Sequence, residues 1–298
     1  MRKILSLFLT IALLLGMTAP VSASEITAPT INTASVYMDA NSKIEFAKQM
    51  DYKYAADLKA GKIKKGTVKE IEKLMMQSTF ASGSEKENIN KILETYGVYE
   101  YNVSTTPTTL ITPYSGSGDV NLQTPLVFYE SWEKSWTVTC GGNWKNNNWL
   151  EQIIPGNVGE PDAFGVGYTN TNKPYSSYVI RSSAYITDQY DSRTVSTSYR
   201  SDGDGSKGFG FRLQDYAYIS PYDTYVGYKW YGSCTYDSWF GNYSGVATAY
   251  YIHTWSSAHI NSITFGVEGK TAGVSMDIEN RDKSFEAYSF DKTFGVYP

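Results

Sequence analysis

From residue 124 onward, apolar side chains recur at every second position. Phe209, Phe211 and Leu213 alternate with Gly210 and Arg212, and Ala272, Val274, Met276 and Ile278 alternate with Gly273, Ser275, Asp277 and Glu279. Thr224, Val226, Tyr228 and Trp230 make a third row. A period of two places successive side chains on opposite faces of a pleated strand, so these segments read as half-buried strands. Residues 146–148, 202–205 and 268–270 carry Asn, Asp and Gly where hairpins turn. No helical pattern interrupts them. The spacing predicts that residues 124–298 form an antiparallel β-sandwich or jelly roll.

Residues 42–100 have a different texture, charged and helix-favouring, with Lys and acidic residues nearly balanced. Three capping-box patterns stand there: Ser42 with Glu45, Thr67 with Glu70, and Ser84 with Glu87. Gly61, Gly66 and Gly97 sit where such helices would stop. The reading is three short helices, over residues 43–60, 67–79 and 85–96, forming a small domain or a propeptide. Residues 101–123, rich in Thr, Pro, Ser and Gly, read as a linker and a domain boundary. The fold class expected is therefore mainly β, with a small α-helical segment before the sandwich.

The first 23 residues are of another kind again. Arg2 and Lys3 precede an apolar stretch over residues 4–17, and Val21, Ser22 and Ala23 supply small residues at a cleavage site. This is the pattern of a secretory signal peptide, and about 14 apolar residues are too few for a span that needs roughly 20. Cleavage after Ala23 would leave residues 24–41 as a flexible leader. The expected location is secreted or extracellular, with no transmembrane segment in the mature chain.

Composition narrows the function classes. The net charge is −4, of which Arg2 and Lys3 supply +2, so the mature chain stands at −6 and has no basic face for nucleic acid. Aromatic residues are 15% of the chain, with 26 Tyr, which suits strands. Cys140 and Cys234 are the two cysteines. In an oxidising compartment they read as one disulfide closing a loop of about 95 residues, worth roughly 4 to 5 kcal/mol. Two buried free thiols and a catalytic Cys are the competing readings.

Catalytic patterns are thin. His253 and His259 flank a turn that could place both on one face, yet no further ligands for a metal stand nearby. Asp202 and Asp204 begin like a calcium loop, but Lys207 and Leu213 occupy positions where that loop needs Gly and Glu. Asp277 and Glu279 share a strand face and offer a carboxylate pair, while residues 280–283 continue as a polar turn, so a solvated face explains them. No catalytic residue, metal or cofactor is assigned on these grounds.

The aromatic residues carry the remaining signal. Trp144 and Trp149 bracket a polar Asn-rich run, and Trp230 and Trp239 flank Cys234. A Cys140–Cys234 bridge would gather all four indoles into a platform on which a sugar ring could stack. The expected function is a non-catalytic extracellular or cell-surface binding protein whose partner is a glycan or other cell-envelope component. A secreted glycan-active hydrolase is the alternative. A membrane-active or antimicrobial β-protein is a third reading, because residues 175–200 alternate Ser, Thr and Tyr with modest apolar residues as inserting hairpins do.

Overall fold

The computed structural model describes residues 40–101, 120–146, 155–169, 178–218, 224–255, 257–268, 270, 273–289 and 292–294. The expected signal peptide, nearly all of the leader and most of the linker lie outside them. Three helices come first: α1 (Ala40–Lys59), α2 (Val68–Phe80) and α3 (Gly83–Glu94). Of the three expected capping boxes, Thr67 and Glu70 form theirs in full. The other two are not built: α1 starts before Ser42, whose hydroxyl lies 3.1 Å from the Tyr101 hydroxyl, and α3 starts at Gly83 with Ser82 as its cap.

All strand pairs are antiparallel. In chain order they are β1 (Val98–Glu100), β2 (Val120–Leu122), β3 (Leu126–Glu130), β4 (Ser135–Trp144), β5 (Gly156–Asn157), β6 (Asp162–Thr169), β7 (Val179–Thr187) and β8 (Thr194–Thr197). There follow β9 (Gly208–Leu213), β10 (Tyr216–Tyr218), β11 (Thr224–Val226), β12 (Lys229–Tyr236) and β13 (Gly245–Thr254). The last are β14 (His259–Phe265), β15 (Val274–Glu279), β16 (Ser284–Tyr288) and β17 (Lys292–Phe294). The expected row from Thr224 to Trp230 is two strands, because Gly227 turns the chain with φ 138° between β11 and β12.

A seven-stranded sheet in the order β1-β3-β4-β12-β7-β8, with β2 also on β4, faces a five-stranded sheet in the order β16-β13-β6-β9, with β17 also on β13. Alternation along single strands sorts their side chains into layers. Val127 and Tyr129 enter the core between the sheets, while Leu126 and Phe128 turn the other way and meet Ile71, Met75 and Leu93 of α2 and α3. Phe164 and Tyr251 likewise face the inter-sheet core, whereas Ala163, Tyr250 and Ile252 face Ile260, Ile263, Met276 and Ile278 of the β14–β15 hairpin. The molecule is thus a β-sandwich with a helical cover on one outer face and a hairpin cover on the other.

The helices and the sandwich share one compact unit. Strand β1, from the end of the helical segment, is an edge of the seven-stranded sheet, and Phe46, Ala47 and Met50 of α1 pack against the inter-sheet core.

The disulfide expectation is corrected: Cys140 and Cys234 are both buried free thiols. The register explains why. Cys140 sits directly opposite Gly232, so Cys234 is its diagonal neighbour on the same face. Diagonal positions on adjacent strands lie roughly 7 to 8 Å apart, beyond the usual reach of a disulfide.

Candidate functional site

The four tryptophans do not form one surface. Trp144 and Trp230 are 2% and 1% exposed and belong to the inter-sheet core, which removes both from any platform. Their strand positions decide this, since β4 and β12 are interior neighbours whose alternate residues point at the opposing sheet. Trp230 stacks on Tyr251 with centroids 3.8 Å apart and planes within 10°. Trp149 lies outside the described residues. Trp239 is 58% exposed.

Around Trp144 the core turns polar. Its ring meets His253 edge-on at 5.1 Å, and Trp255 meets the same imidazole at 4.0 Å. His253 ends the inward row of β13 that includes Ala247, Ala249 and Tyr251, and Asp162 opens β6. Asp215 follows β9. One ligand atom from each of Asp162, Asp215 and His253 falls within 4.8 Å of the others. His253 Nδ1 is 2.8 Å from Asp162 Oδ2, which also accepts from the Tyr251 hydroxyl at 2.6 Å, while Oδ1 accepts from the Thr254 N–H at 3.0 Å. Asp215 accepts from the Tyr225 hydroxyl on Oδ2 and from the Gln214 amide at 3.3 Å on Oδ1. Burial, and then the negative charge of Asp162, push the Asp215 carboxyl well above the usual carboxylate range; hydrogen bonds from Tyr225 and Gln214 oppose this.

This donor set suits a proton or a divalent cation in kind, but every carboxylate oxygen already accepts from a protein donor. The three side chains are 0 to 5% exposed. The cluster is therefore a closed hydrogen-bonded network that orients His253 inside the protein rather than facing a substrate. His259 does not join it: it is 54% exposed beside Glu160, because β13 and β14 belong to different sheets. Asp202 is also occupied, paired with Arg212, and Asp277 and Glu279 face solvent.

The outward-facing aromatics gather elsewhere. Asp237 caps the 3-10 turn Ser238–Asn242, and its carboxylate accepts from the Trp239 N–H at 3.1 Å and the Tyr178 N–H at 3.3 Å. The Asp237 N–H in turn donates to the Tyr178 carbonyl at 3.0 Å. One acid thus ties together the main chain at two exposed aromatic residues, Trp239 and Tyr178, the latter 78% exposed. Three residues along from Tyr178, Arg181 bridges Glu130 and Glu133 and lies 5.7 Å from the ring of partly exposed Trp132. Sequence reasoning found Trp239 and missed Tyr178, since the two are 61 positions apart and only the pairing of β7 with β12 joins them.

No protein-family model and no curated protein matches the chain. One solved structure, described as "pH-induced modulation of Streptococcus parasanguinis adhesion by Fap1 fimbriae", is similar over 58% of this chain and 80% of its own, at 12% identity. Its TM-score of 0.22 is too low for a common fold to follow. Among the described residues no helix is long and apolar enough to cross a membrane.

Proposed function

We propose that the chain is an exported, non-catalytic binding protein that engages an extracellular glycan or another cell-envelope component through outward-facing aromatic rings. The observation that supports this reading is that Tyr178 and Trp239, both exposed, are joined at the main chain through Asp237. Large apolar rings left in water beside a fixed carboxylate suit a sugar, whose C–H faces stack on the rings while its hydroxyls find polar partners. The Asp162–Asp215–His253 cluster, by contrast, is enclosed.

The test is retention on cell-wall polysaccharide and on a glycan array. Trp239→Ala and Tyr178→Ala should each weaken binding, by about 1 kcal/mol per ring, and the double variant should weaken it further. Binding that is unchanged in the double variant removes the reading. N-terminal sequencing of protein recovered from the medium should begin near Ser24; a start at Met1 removes the export step.

A glycan-active hydrolase is the second reading, and one observation favours it. Asp162 and Asp215 are two carboxylates brought close together, with Trp144, Tyr225 and Tyr251 around them, and a pair of carboxylates is what glycoside hydrolysis uses. Release of reducing sugar that disappears in both Asp162→Asn and Asp215→Asn would replace the first reading with this one.

A further inference from the structure

Lys43 lies in the first turn of α1 and is completely buried. Its Nζ is 4.4 Å from the centroid of the Trp136 ring and 4.2 Å from that of Phe240, and it donates to the Phe240 carbonyl at 3.2 Å. Both rings are supported from behind by the sandwich. Tyr236 stacks on Phe240 with centroids 4.5 Å apart, and Tyr129 and Tyr101 pack on Trp136. Gly241 lets the 3-10 turn approach this closely, because a Cβ there would stand 3.1 Å from Trp136 Nε1.

The cage and its occupant come from different parts of the chain. Trp136 belongs to β4 and Phe240 to the 3-10 turn, whereas the amine arrives on a helix held by one face. Other contacts of α1 include Phe46 edge-on to Tyr101 at 5.1 Å, Asp51 accepting from the Tyr129 hydroxyl at 3.0 Å, and the Asp51–Lys134 and Lys53–Glu94 ion pairs. Filling a hole of this shape needs no nitrogen; a methionine is unbranched, one atom shorter, and carries no polar group to desolvate. What the nitrogen meets here is specific to it, two ring faces and a carbonyl acceptor. Burial pushes the Lys43 amine well below the usual lysine range, so the ring faces and the carbonyl receive it in a setting that resists full charge.

We propose that the sandwich carries a binding site for a primary amine on a straight alkyl stem, and that α1 occupies it in cis with Lys43. The site goes beyond the glycan reading and stands whether or not that reading holds. It also adjoins the proposed surface, since Phe240 inside the cage follows Trp239 outside it.

The experiment uses the full chain with Lys43→Ala, which removes three methylenes and the amine, and n-propylamine as the probe that restores them. Propylamine should raise the melting temperature of Lys43→Ala, and at about ten times its Kd should multiply the folded-to-unfolded ratio roughly tenfold. It should do so for neither the wild type nor Lys43→Met, in which a side chain already occupies the place of the alkyl stem. Propanol lacks the amine and tetramethylammonium lacks the N–H, so neither should substitute. Equal effects of propylamine and propanol overturn the proposal, as do equal effects of propylamine on all three proteins. If Lys43→Ala is unfolded alone, the refolded fraction in propylamine is read instead, and a chain that stays unfolded overturns it too.

Discussion

Strand β6 runs from Asp162 at one end of the inter-sheet core to Tyr168, near the other, about 20 Å of strand. At the first end two aspartates and a histidine are buried; at the second, a lysine, whose Phe240 partner packs against Tyr168. The acidic end is self-contained, because Tyr251, His253 and Thr254 on β13 and Tyr225 on β11 supply donors to the carboxylates from the sandwich's own strands. The basic end is completed from outside, by a helix that brings its amine to rings and a carbonyl. Buried charge at the first end joins strands of the sandwich to one another. At the second it joins the helical segment to the sandwich.

The largest effect expected from this contrast is at Asp162. Asp162→Ala leaves the Tyr251 hydroxyl, His253 and the Thr254 N–H without their acceptor in the core, and should destabilise the fold by about 3 to 5 kcal/mol in urea titration. A loss under about 1 kcal/mol would mean that the acidic end is not a structural centre.

Next in size is the pH dependence at Asp215. With its carboxyl raised in the folded chain, the folded state holds a proton that the unfolded state has released above about pH 4. Stability from this group is present at low pH and declines as pH rises through the folded value, at up to about 1.4 kcal/mol per pH unit. Asp215→Asn should flatten that decline, and an unchanged slope would assign it to another group.

The smallest effect is at Lys43. Lys43→Met should lie within about 1 kcal/mol of the wild type near neutral pH, because an apolar residue of similar shape often replaces a buried charge without loss. Here the sign is reversed. The folded lysine is lowered, so the wild type gains relative to Lys43→Met as pH rises toward the unfolded lysine value near 10.5. Opposite slopes at the two ends sharpen the comparison, and a shared sign breaks it.

The strands themselves were legible because a period of two survives in single segments: Val274, Met276 and Ile278 are buried and Asp277 and Glu279 are not. Thr67 and Glu70 announced α2 for the same reason, since a capping box is local. Neither polar end was legible. Asp162, Asp215 and His253 are isolated in sequence and meet through register between strands, which no local pattern encodes. Lys43 looked like one more charge on a salted helix. Trp144 reads as a surface ring because a polar run follows it and Trp230 because a Cys140–Cys234 bridge would gather it alongside, and the order of the seven-stranded sheet places both inside.

Burial pushes the Cys234 thiol up to about 12 and raises that of Cys140 further. At pH 8 a thiol at about 12 is thiolate in only about one molecule in ten thousand, and thiolate is the form that alkylating reagents capture. Both sulfurs sit on interior strands beneath the opposing sheet, so a reagent reaches them when the two sheets part. Labelling at either position therefore records how often the sandwich opens, and the protein carries on β4 and β12 a pair of built-in clocks for the separation of its two halves.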